Sequence, residues 1–150
     1  MNSAEPSNTC TIEDILKAEA RATQLVAIIA VRIEEGPKVF SQVMQGNLDR
    51  GVNYRYLLLR SGEVSLAKRF KAFQDTLHQV YPGSFQGKLI DYEYVESDVT
   101  IIDPVLSTRR GFILGDDSVP NSRHLEIRGK NLFRLCDRFT YLWQIGEELD

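Results

Sequence analysis

"NLDRGVNYRYLLLR", Asn47 to Arg60, is the stretch that decides the fold. Just upstream, Val39, Phe40, Val43, Met44 and Leu48 recur at helical spacing and form one apolar stripe. Gly51 stands where a helix ends on a left-handed residue, a backbone shape that costs glycine least. In "VNYRYLLL", Val52, Tyr54, Tyr56 and Leu58 then point one way and Asn53, Arg55, Leu57 and Leu59 the other, the two-residue period of a strand. Before the helix, "QLVAIIAVRI" (24–33) is aliphatic without polar alternation, as in strands buried on both faces. "EEG" breaks it, and Pro37 is tolerated in a first helical turn. Strand, helix, glycine stop and strand make a βαβ unit, whose strands are expected to be parallel with a right-handed crossover.

Working outward, "TIED" predicts a helix from Thr11, with Asp14 closing a variant capping box and Ile12, Ile15, Leu16 and Glu19 at helical spacing. A third helix is predicted over 63–81, with Leu66, Phe70, Phe73, Leu77 and Val80 on one face. Shorter strands are expected at 88–95, 99–105, 111–115 and 124–128, with "DDSVPNS" as a loop before the last. A final helix, 130–148, carries Leu132, Leu135, Cys136, Phe139, Leu142 and Trp143 toward the core. Residues 1–10 are polar and are expected to be a disordered tail, with one α/β domain over 11–150.

The chain of 150 residues carries 18 Lys and Arg against 21 Asp and Glu, a net charge of −3. That balance gives no global basic field, so nucleic acid is not the expected partner. Cys10 and Cys136 form no metal-ligand spacing, and neither a metal nor a cofactor is expected. No stretch reaches the about 20 apolar residues that span a bilayer, and the first ten lack a signal-peptide pattern. A cytoplasmic protein without membrane contact is the expectation.

Three pieces resemble one half of the phospholipase D-like fold, especially small bacterial domains whose catalytic motif has decayed. They are "EDILKAEARATQLVAIIA", "VFSQVMQGNLDRGVNYRYLLL" and "HLEIRGKNLFRLCDRFTYLW". The resemblance implies an α/β fold with a mixed sheet, a parallel βαβ core and helices on both faces. It also implies a chemistry of histidine, lysine two residues on and aspartate five further. The histidine attacks phosphorus, the lysine holds phosphate oxygens and the aspartate orients the histidine. In "ESDVTIID" those positions hold Glu96, Asp98 and Asp103, so only the aspartate survives. Two carboxylates in place of a nucleophile and a phosphate clamp repel an anionic substrate by about 1 kcal/mol or more per close contact. A second window, His124, Glu126 and Asn131, has the spacing but also lacks the lysine.

The expectation is therefore a non-catalytic regulatory or protein-interaction module, homodimeric because such relatives build their site between two halves, with Glu96, Asp98 and Asp103 as a degenerate cleft. Arg109, Arg110, Arg123, His124 and Arg128 are candidate contacts for an anion or partner. One alternative is a diverged nuclease or phosphodiesterase using Asp98 and Asp103 with a divalent metal; another is nucleic-acid binding through the four arginines. His124 and His78 are otherwise read as solvated, Asp116 and Asp117 as loop acids. Arg55 is read as half of an ion pair with Asp91 or Glu93, because a strand covered on both faces leaves an unpaired charge too costly.

Overall fold

A computed structural model describes residues 8–30, 38–60, 64–91, 98–115 and 123–149. The elements run β1 (Asn8–Cys10), α1 (Ile12–Glu19), β2 (Leu25–Ala30), α2 (Lys38–Asp49), β3 (Asn53–Leu59), α3 (Val64–Val80), β4 (Phe85–Ile90), β5 (Asp98–Ile102), β6 (Arg110–Leu114), β7 (His124–Ile127), α4 (Lys130–Ile145) and β8 (Glu147–Glu148). They build an eight-stranded sheet in the order β1-β7-β6-β5-β2-β3-β4-β8. β2, β3 and β4 are parallel, and every other neighbouring pair is antiparallel. Among the described residues no helix is long and apolar enough to cross a membrane.

The α2–β3 joint is tight because the helix terminates itself. Gly51 takes φ +87°. Its N–H donates to Leu48 O at 3.0 Å, and the Val52 N–H donates to Asn47 O at 3.0 Å, the paired bonds of a Schellman stop. β3 follows at once, and its alternation sorts the core into two layers. Val52, Tyr54 and Leu58 pack with Ile15, Ala18, Leu48 and Phe70 under α1, α2 and α3. Leu57 and Leu59 pack with Ile101 of β5 and with Leu132, Cys136, Phe139, Leu142 and Trp143 of α4. Each such Leu or Phe, fully buried, contributes roughly 1.5–3 kcal/mol. Gly111 of β6 lets α4 lie close, since a Cβ there would meet Leu132 Cδ1 at 2.6 Å.

Several expectations need correction. Asn8–Cys10, expected in the tail, pair antiparallel with β7 at Asn8↔Glu126 and Cys10↔His124, and Cys10 packs against the core. The final helix stops at Gly146, whose extended backbone turns Glu147 and Glu148 onto β4 as an edge strand. Phe73 and Val80, placed on the apolar face of the third helix, are 41% and 66% exposed. Phe73 lies at the border, edge-on to Phe85 at 5.4 Å. Arg55 has a different partner: it is exposed, with its guanidinium 5.5 Å from the centre of the Trp143 ring. Asp91 instead pairs with Arg60. Being exposed, the charge keeps its water. Glu93, the loop 116–122 with Asp116 and Asp117, and the Pro37 turn lie outside the described residues.

Candidate functional site

Strand direction places the nominated residues. β2, β3, β4 and β6 end on one rim of the sheet, where β5 and β7 begin. Asp98 opens β5 at that rim, and Asp103 follows its far end. At about 3.3 Å per residue they stand roughly 16 Å apart along the strand. Glu96 lies outside the described residues. Asp98 and Asp103 therefore do not converge on one ion, which takes its oxygen ligands at about 2.3–2.6 Å. Among the described residues, no group of three or more His, Cys, Asp and Glu could hold a metal. The two-aspartate metal reading is corrected on that geometry.

Asp103 is occupied elsewhere. Its carboxylate accepts from the N–H groups of Thr23 (3.0 Å), Gln24 (2.8 Å) and Leu25 (3.0 Å), and from the Thr23 hydroxyl at 3.2 Å. Its own N–H donates to Leu25 O at 2.7 Å. The backbone sits at φ +51°, a left-handed shape that aspartate tolerates better than most side chains. Burial by itself raises the carboxyl's pKa, but the N–H groups of Leu25, Thr23 and Gln24 with the Thr23 hydroxyl outweigh it, and the net direction is down. The side chain clamps the α1–β2 joint to the end of β5.

The cationic set is split between the rims. Arg123 and His124 stand near Asp98; Arg109, Arg110 and Arg128 stand at the Asp103 end. His124, expected to be solvated, is 6% exposed, and its Nδ1 accepts from Gly115 N–H at 3.0 Å, a role for the unprotonated nitrogen only. Arg110 donates twice to Glu126, at 2.9 and 3.0 Å, and its guanidinium holds the Glu126 carboxyl below the usual range. Arg128 donates to the same carboxylate at 3.2 Å. Arg109 lies 4.4 Å from the ring centre of Phe133. The second motif window is thus structural: its histidine is capped, its glutamate is paired, and Asn131 is exposed on α4.

Sequence reasoning missed a polar cluster between α1, α2 and β3. The Tyr54 hydroxyl donates to Glu19 Oε2 at 2.5 Å and accepts from Asn47 Nδ2 at 2.8 Å. Asn47 also donates to Glu19 O at 2.9 Å. Arg50 donates to Asn47 Oδ1, Ala20 O and Ala22 O. Glu19 is 3% exposed, and burial pushes its pKa up to about 7, against the lowering effect of the Tyr54 bond. The signal was a glutamate on the apolar stripe of α1. A second miss is on α4, where Lys130, Arg134 and Arg138 recur every four residues on the outward side.

Neither a protein-family model nor a curated protein matches this sequence. Solved structures do. Nuc of Salmonella typhimurium, a phospholipase D family member, superposes with a TM-score of 0.62 at 14% identity, over 91% of this chain and 89% of that one. The fold is phospholipase D-like. NucT from Helicobacter pylori matches at a TM-score of 0.65 and 11% identity, again over 91% and 89% of the two chains. TrmBL2, an archaeal chromatin protein described with a novel mode of DNA binding, matches at 0.64 and 15% identity. That match takes in 99% of this chain but only 56% of TrmBL2. The phospholipase D-like likeness inferred from three sequence segments thus holds for the fold.

Proposed function

We propose that this chain is a non-catalytic recognition module on a phospholipase D-like scaffold, a cytoplasmic regulatory or interaction domain that works as a homodimer and binds without cleaving. One observation carries the reading. Asp103, the aspartate of the motif by the spacing of the resemblance, is bound into the α1–β2 joint, and the same spacing puts the lysine position at Asp98. A carboxylate cannot clamp phosphate oxygens, and a fully bonded aspartate has no free lone pair with which to orient a base. The buried His124, whose Nδ1 accepts from the Gly115 N–H, is no substitute.

The test is hydrolysis of bis(p-nitrophenyl) phosphate, with and without divalent metals, beside sedimentation of the purified chain. No turnover above buffer and a mass twice the monomer's are expected. Turnover that falls on Asp98→Asn, at unchanged melting temperature, overturns the reading. Nucleic acid is a second reading of the bound partner. The outward row on α4 favours it, and the shared fold with TrmBL2 supports it; the net charge of −3 does not oppose it, because a patch acts locally.

A further inference from the structure

On α4 the exposed cations form a ladder. Lys130, Arg134 and Arg138 are four residues apart, so each step rises about 6 Å along the axis. Asp137 is the one acid in the helix. Arg109 joins from the turn before β6, its Nε donating to Leu106 O at 2.8 Å and its guanidinium lying against Phe133. Phe133 and Tyr141 are each 55% exposed and flank the ladder. These rings contribute little to the core, which α4 reaches through Leu132, Cys136, Phe139, Leu142 and Trp143.

Charge decides what can lie on this face. A second copy docked through a twofold would bring the ladder against itself, with Asp137 the one acid of α4 to offset it. The rest of the chain is negative, since these cations are part of a total that still sums to −3. A polyanion is drawn to this face, where three cations of α4 stand against its one acid. The two exposed rings narrow the class. Base stacking on aromatic side chains beside a cationic track is how single strands are held without sequence preference, at about 1–3 kcal/mol per base. We propose that the outward face of α4 binds a single-stranded nucleic acid, with phosphates on Lys130, Arg134 and Arg138 and bases against Tyr141 and the Arg109–Phe133 pair. This rests on the reading of the chain as a module that binds without cleaving.

The experiment is fluorescence anisotropy of a labelled oligothymidine of about 20 nucleotides with the full chain, at salt from 50 to 300 mM, beside a duplex of equal length and a polyglutamate competitor. For three phosphate contacts, a log–log salt slope of about −2 is expected. Lys130→Glu with Arg134→Glu lowers affinity at least tenfold and flattens the slope by about 1.4. Tyr141→Ala weakens the oligothymidine and leaves the duplex unchanged. Circular dichroism melting checks that these surface variants fold. The proposal is overturned by no saturable binding at the lowest salt, by affinity unmoved on charge reversal, or by duplex or polyglutamate bound as tightly as the single strand. Shortening of the oligonucleotide during incubation overturns the non-catalytic reading instead, so the two failures are distinguishable.

Discussion

Glu19 and Asp103 are two buried carboxylates on either side of one joint, and their pKa values move in opposite directions. Glu19 closes α1 and takes a hydrogen bond from the Tyr54 hydroxyl. Asp103 holds residues 23–25, where that joint becomes β2, through three N–H groups and a hydroxyl. Both are 3% exposed. Burial raises both; the number of donors decides which way each finishes, up to about 7 for Glu19 and down for Asp103. A buried acid surrounded by donors is a fastener, whereas one with a single neutral donor favours its proton.

The most severe way to break this contrast is Asp103→Ala. It strands three backbone donors at a partly buried joint and puts alanine at φ +51°. A loss of about 3–5 kcal/mol in unfolding free energy is expected, from unmade hydrogen bonds and left-handed strain. Asp103→Asn, which keeps an oxygen and tolerates that backbone, should lose roughly half as much. Urea denaturation measures both. A cost below about 1 kcal/mol for the alanine variant contradicts the fastener reading.

The next effect is in pH. A carboxyl raised in the folded state keeps its proton after the unfolded chain has lost it. Its contribution is complete below the unfolded pKa near 4.3 and is lost as pH rises to about 7. Glu19 therefore makes stability fall across that window by about 3.7 kcal/mol at most, at a slope near 1.4 kcal/mol per unit. Asp103 has the opposite sign: its stabilisation is present above the unfolded value near 3.9 and is lost as pH falls through its lower folded value. Glu19→Gln should flatten the profile between pH 4.5 and 7 while leaving the acid limb in place. A variant profile with the original slope shows that some other group titrates there.

What could be read from the chain was what lies within a few residues. Thr11 and Asp14 close their capping box, at 3.1 and 3.0 Å, as three-residue spacing implies. Gly51 stops α2, and the stripe from Leu132 to Trp143 meets the sheet, because both depend on helical geometry alone. The nominated cleft failed because its meaning is set at long range. Asp103 finds its donors 78 to 80 positions away, and Tyr54 meets Glu19 across 35. Spacing of five or seven residues cannot tell a motif aspartate aimed at chemistry from one bonded to a distant loop. His124 was misplaced for the same reason: β1 pairs outside it and Gly115 caps it, neither visible from "RHLEIR".

The smallest test removes one donor of the four. Thr23→Val deletes the hydroxyl that reaches Asp103 Oδ2 at 3.2 Å but keeps the N–H at 3.0 Å, the β-branched shape and an exposed position. A loss of about 0.5–1 kcal/mol is expected near neutral pH, the usual net worth of a single hydrogen bond. With one donor fewer, the Asp103 carboxyl moves back toward its ordinary value, so the acid limb of the stability profile shifts to higher pH. The Glu19 limb, set by a different neighbour, stays where it was. If instead both limbs move together, the carboxylates are coupled through the joint and titrate as a pair.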